Sequence, residues 1–211
     1  MTALQQLRVR LAEITDLNRV SALVGWDQQT YMPLGGGAAR AEQSATLEKI
    51  IHEMFTADQT GRLLDAAAGE VSGLDPDSDD ARLVSVTRRD YEKLRKVPAE
   101  LVAEIARVTG QAVDVWTEAR AKSDWQPFSP YLARIIDLQC RLADALGYSD
   151  RMYDALLDKF EPDMKTAQVQ AVFDAIKPDL IDSVDPNFIV AVPPLPESSL
   201  RHHTVVPKHG A

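Results

Sequence analysis

The chain has 211 residues, 45% hydrophobic and 26% charged, which are the proportions of a folded globular protein rather than a disordered one. Its 32 acidic residues outweigh 23 basic ones, and the formal net charge of −9 argues against a nucleic-acid partner, whose phosphates need a clustered basic surface. Unbroken apolar runs reach only about five residues, far short of the ~20 that span a bilayer, so no membrane partner is expected.

The apolar period is helical from the start. Leu4, Leu7, Leu11, Ile14, Leu17 and then Val20 or Leu23 predict one side of a long first helix ending near Gly25. Trp26 to Gly37 reads as a loop, because Pro33 and three glycines oppose a continuing helix. A second helix is predicted over Ala38 to Phe55, and a third over Asp58 to Ala68, stopped by Gly69. After the turn-rich acidic stretch Ser72 to Asp80, a fourth helix carries Leu83, Thr87, Tyr91 and Leu94 on one face. Pro98 opens a fifth, whose stripe is Leu101, Ile105, Val108, Ala112, Val115, Trp116 and Ala119, with Gly110 on the solvent side. Ser129 caps a sixth with Pro130 in its first position, and Leu132, Ile135, Ile136, Leu142, Ala143 and Leu146 form its core face. A shorter helix around Asp150 to Phe160 precedes a last one that Thr166 caps, through Val169, Val172, Phe173 and Ile176. No stretch of this body alternates with period two. The expected fold is an all-α, bundle-like body over 1–183, followed by an extended proline-rich tail over 184–211.

The chemistry the residues could carry is sparse. A helical zinc-peptidase site needs two histidines four residues apart with a glutamate between them. Here His52-Glu53-Met54-Phe55-Thr56 lacks the second histidine, and His52 reads as a surface residue. His202, His203 and His209 cluster in the tail and read as part of a flexible polar segment rather than as a metal site. The acidic pairs Glu100/Glu104, Asp114/Glu118 and Asp154/Asp158, each one helical turn apart, read as solvated surface. Cys140 reads as an inert, partly buried thiol, and a single cysteine fits a reducing compartment. The start Met1-Thr2-Ala3-Leu4-Gln5 lacks the basic segment and apolar run of a secretion signal, so a cytoplasmic location is expected. Gly35-Gly36-Gly37 with Arg40 could present backbone N–H groups to an anion, but reads more simply as a turn. Gln139 falls in the middle of the sixth helix's stripe, where a buried amide must find partners or line a groove. No catalytic residue and no metal ligand is assigned from the residues themselves.

Trp26-Asp27-Gln28-Gln29-Thr30-Tyr31-Met32-Pro33 is followed by Gly36, Arg40 and Gln43. Arg88-Arg89-Asp90-Tyr91, Val97-Pro98-Ala99-Glu100-Leu101, and Trp116 with Ala119-Arg120 come next. Phe128-Ser129-Pro130-Tyr131-Leu132, Leu142 to Tyr148, Tyr153 to Asp158, Glu161-Pro162 and Met164 complete the series. In this order the stretches resemble the carboxypeptidase Taq family of zinc metallocarboxypeptidases, the first of them its N-terminal signature, and the similarity covers about Leu7 to Leu180. The resemblance implies a helical peptidase, usually a homodimer, that uses zinc to remove residues from peptide C-termini. It also implies that the zinc-binding and substrate-carboxylate-binding residues lie beyond this part, so no zinc is expected in this chain. The expectation is a shortened carboxypeptidase, inactive alone, or one half of a split enzyme that needs its missing C-terminal half. A non-enzymatic helical interaction module is the alternative.

Overall fold

The structure is a computed structural model and describes residues 1–33 and 35–183; the proline-rich tail expected over 184–211 lies outside the described residues. These form α1 (Ala3–Thr30), α2 (Gly37–Thr56), α3 (Asp58–Val71), α4 (Asp79–Leu94), α5 (Ala99–Lys122), α6 (Ser129–Leu146), α7 (Met152–Leu157) and α8 (Thr166–Ser183). The all-α expectation holds among them. The chain divides into two compact units, Met1–Asp163 and Met164–Ala211, and α8 with its internal Pro178 belongs to the second.

In the first unit, α1 packs on α2 and α3, α2 lies along α5, and α5 carries α6, which in turn carries α7. One cluster of buried side chains joins Leu7 of α1, Leu64, Ala67 and Val71 of α3, and Val84 and Tyr91 of α4. A second joins Val97, Leu101 and Leu138. The start of α1 is closed twice. Thr2 and Gln5 form a reciprocal capping box. Glu70 of α3 accepts the Ala3 and Leu4 backbone N–H groups at 2.7 and 3.1 Å. Those two bonds, Leu4 first, hold the Glu70 carboxyl below its ordinary range.

Several boundaries differ from the sequence reading, each for a local reason. α1 does not stop at Gly25 but runs to Thr30, so Trp26 to Thr30 are helical rather than loop. Its last turns are tied from outside. Arg40 of α2 donates to the Val24 carbonyl at 2.8 Å and pairs with Asp27 at 2.6 Å. The Gln28 amide donates to the Gly110 carbonyl at 3.1 Å. Gly69 does not stop α3, which continues to Val71 with no left-handed backbone at that glycine. Ser129 is the first residue of α6 rather than its cap, and Pro130 follows within the first turn. α7 is shorter than expected.

Three side-chain assignments also change. Gly110 does not face solvent: a Cβ there would stand 3.1 Å from the Ala41 Cβ, where α5 crosses α2. Small residues let these backbones approach, and Ala41, Ala45, Ala103 and Ala112 are all buried. On α6, Leu138 takes the central buried place while Ile136 is 55% exposed. Gln139 is half-buried at the flank, not inside the stripe.

A candidate substrate cleft

The inward stripe of α1 changes character along its length. It is apolar at Leu7, Leu11 and Ile14, then continues one or two turns at a time as Asn18, Ser21, Gly25 and Gln28. Polar groups on an inward stripe need partners or a water-filled space. Here they have both. Asn18 and Gln28 donate to the Ile14 and Gly110 carbonyls, and the Ser21 hydroxyl donates to Glu48 of α2 at 2.5 Å. These residues line a cleft of about 910 Å³ whose other walls come from α2, α4, α5, α6 and α7. That volume lies in the range of small-molecule and cofactor sites. The walls are mainly apolar, with Ile51, Phe55, Val102 and Ile105 among them.

His52 lines this cleft too, and it is not a surface residue. It is 8% exposed, and its Nε2 lies 2.7 Å from the Val97 carbonyl in the turn between α4 and α5. The bond fixes the α2 helix to that turn and leaves one ring nitrogen for other contacts. Four residues on, Thr56 donates to the His52 carbonyl at 2.8 Å, where a zinc helix would carry its second histidine.

At the α4–α7 end the cleft becomes charged. Lys93 pairs with Asp158 at 2.5 Å, and Asp158 also accepts the Asp163 backbone N–H at 2.9 Å. Burial disfavours the Asp158 charge, but the Lys93 hydrogen bond, the Asp163 N–H and the charges of Lys93 and Arg89 outweigh it. The carboxyl is held below its ordinary range. Arg89 donates through Nε and Nη2 to Asp90, and the Lys159 ammonium lies 5.9 Å from the Phe160 ring centre. The pair Asp154/Asp158 is thus not a solvated face, since Asp154 is 3% exposed where α7 packs on α6.

In the other acidic pairs, three of the four carboxylates have cationic partners. Glu104 is bonded by Arg134, with Arg141 nearby, and this holds its carboxyl below the ordinary range. Glu100 pairs with Lys49 at 3.0 Å, and Glu118 with Lys122 at 2.5 Å. The Asp114 carboxylate lies over Gly37 so closely that a Cβ there would collide with it. Arg40, weighed as an anion ligand beside the glycines, is spent on Asp27, Val24 and Gln43. Cys140 is half-buried. His202, His203 and His209 lie outside the described residues. Among the described residues, no three His, Cys, Asp or Glu side chains gather closely enough to hold a metal ion. No described helix is long and apolar enough to cross a membrane.

The sequence reading singled out His52, Asp158 and the signature glycines but missed Asn18, Ser21, Gln28, Glu48, Arg89 and Lys93 as cleft residues. One signal was available: Asn18, Ser21 and Gln28, with Gly25 between them, keep the inward spacing that Leu7, Leu11 and Ile14 begin.

A family model described as carboxypeptidase Taq (M32) metallopeptidase matches residues 6–196. Thermostable carboxypeptidase 1 of Thermus thermophilus is 33% identical over 210 residues, covering 95% of this chain and 41% of that protein. Carboxypeptidase 1 of Bacillus subtilis is 32% identical over 174 residues, 82% of this chain and 34% of that protein. The solved BsuCP structure superposes with a TM-score of 0.78 at 30% identity, over 84% of this chain and 35% of that one. The M32 carboxypeptidase of Deinococcus radiodurans gives 0.68 at 35% identity, over 85% and 36%. The chain spans about two fifths or less of the length of the curated relatives it matches.

Proposed function

Because this chain belongs to the carboxypeptidase Taq (M32) metallopeptidase family, we propose that it contributes the cleft-forming helices of a zinc-dependent enzyme that removes residues from peptide C-termini. The observation that carries the reading is the family match along 6–196. A metal is implied by that membership, and the described residues do not fit one. His52 Nε2 is engaged by the Val97 carbonyl, Thr56 stands where a paired histidine would be, and no ligand cluster forms among them. On this reading the metal ligands come from polypeptide outside the described residues, and the chain alone is expected not to hydrolyse peptides. Its own part is physical: the walls of the cleft exclude water and hold a peptide in one orientation. The single cysteine supports a reducing, cytoplasmic setting.

The test is metal analysis of the dialysed chain together with a peptide-digestion assay. The assay is run on the chain alone and after mixing with the part of the Thermus thermophilus carboxypeptidase that this chain does not match. The expected result is no stoichiometric zinc in the chain and chelator-sensitive release of C-terminal residues only in the mixture. Tightly held zinc with turnover by the chain alone would overturn the reading. So would a mixture that associates and stays inactive.

A further inference from the structure

Asp158 does two jobs with one carboxylate. Its Oδ2 pairs at 2.5 Å with the ammonium of Lys93, 65 residues away on α4, and its Oδ1 accepts the Asp163 backbone N–H at 2.9 Å. The stretch between these two bonds has few other ties. The α7 helix is six residues long, with Asp158 as its C-cap, too short to persist on its own hydrogen bonds. Beyond it, the Phe160 and Glu161 N–H groups both turn back to the Leu157 carbonyl at 2.9 Å, and Pro162 has no N–H to give. Asp163 follows with a left-handed φ of 66°, a conformation that is unfavourable for a residue with a side chain unless a contact maintains it. The Asp158 carboxylate is that contact. Asp163 is also the last residue of the first compact unit, so the backbone fixed there is the one from which the chain runs on to Met164.

We propose that Lys93, Asp158 and the Asp163 N–H form a latch over residues 159–163, one that ties the exit of the chain from its first unit to the wall of the cleft. Lys93, Asp158 and Lys159 all line that cleft. The order of the links decides how the latch opens. Lys93 keeps the carboxylate aimed, and a charged oxygen holds the Asp163 N–H more strongly than a neutral one would. Loss of either link therefore releases the turn while the helices of the unit stay folded, an opening confined to 159–163. Protonation does not open it near neutral pH. Despite its burial, the carboxyl is kept ionised there by the Lys93 bond, the Asp163 N–H and the charges of Lys93 and Arg89. Screening does open it, because the Lys93 and Asp158 side chains are 31% and 23% exposed and dissolved ions reach the pair.

The experiment is amide hydrogen exchange of the full chain at pH 7, read by mass spectrometry, so that it depends on neither turnover nor zinc. Asp158→Ala and Lys93→Gln are each expected to speed exchange in 159–165 at least tenfold. The amides of α2 and α5 are expected to change by no more than the fall in global stability accounts for. Trypsin cleavage after Lys159 is expected to quicken in parallel. Lys122→Gln, in an exposed pair elsewhere, is expected to change nothing. In the wild type, raising sodium chloride to about 0.5 M is expected to speed exchange in the same segment several-fold. This arm needs no substitution, and so decides the matter even if a variant fails to fold. A segment indifferent to salt and to both substitutions would overturn the latch. So would exchange that rises equally in every helix, which would make the pair a part of global stability alone. A response to Asp158→Ala without one to Lys93→Gln would overturn the tie to the cleft wall.

Discussion

The His52 imidazole and the Val97 carbonyl make one buried bond between segments 45 residues apart. Replacing His52 by Ala leaves that carbonyl unpaired in a poorly solvated place, a loss of about 1–3 kcal/mol. Urea denaturation should show that loss, while the zinc content of the dialysed chain stays unchanged. A change in bound metal without a change in stability would contradict the structural role. Asp158 supplies the pH-dependent counterpart. Its folded carboxyl titrates below its ordinary value, so its stabilisation is fully present above the unfolded pKa of about 3.9 and is lost as pH falls through the lower folded value. Asp158→Asn should therefore lower the unfolding free energy measured in urea at pH 7, by an amount on the order of 1 kcal/mol. The gap to the wild type should close as the pH drops below about 4. A gap that persists undiminished at pH 3 would mean that the Lys93 pair is not its source.

At the scale of the elements, the glycines separate two kinds of helix position. Gly69 lies inside α3 with open space where a methyl group would point and no left-handed backbone. Gly69→Ala should therefore stabilise by about 0.5–1 kcal/mol through helix propensity and unfolded-state entropy. Gly110 lies against the Ala41 backbone, and a Cβ would be 3.2 Å from the Ala41 Cα. There the propensity gain of Gly110→Ala is offset by crowding, and Gly110→Leu, which forces α2 and α5 apart, should cost roughly 2–3 kcal/mol. Thermal melts of the three variants check the order. The contrast also shows what the sequence made legible. The span of α2, the inward places of Thr87 and Tyr91 on α4 and of Leu101, Ala112 and Ala119 on α5, and the breaks around Pro33 and Pro98 follow from local spacing and backbone chemistry. The end of α1, the inward turn of Gly110 and the burial of His52 do not. Each depends on a partner far along the chain: Arg40 for Val24, Ala41 for Gly110, and Val97 for His52. A single-helix pattern holds no information about such partners, so the cleft they enclose was visible only as unexplained polar residues on the inward stripe of α1.

For the whole molecule, charge and exposed apolar surface pull in opposite directions. A net charge of −9 keeps copies apart at low salt. Against this, Trp26 is 53% and Tyr31 74% exposed, and their rings meet at a tilt of 59° with centres 5.3 Å apart at the end of α1. Phe173 and Val172 of α8 are likewise exposed. Paired aromatic rings open to water are the kind of surface that apolar dyes and other copies of a chain recognise. Raising the salt screens the repulsion without weakening apolar association. Light scattering on the purified chain should therefore show growth in mass as concentration and salt rise, with dye fluorescence increasing in parallel. Trp26→Ser together with Tyr31→Ser should reduce both signals by at least half. The same pair should leave stability within about 0.5 kcal/mol, because neither ring is part of a buried cluster. A compact monomer that binds no dye at high concentration and high salt would show that the negative surface, not the aromatic pair, governs how the chain behaves in solution.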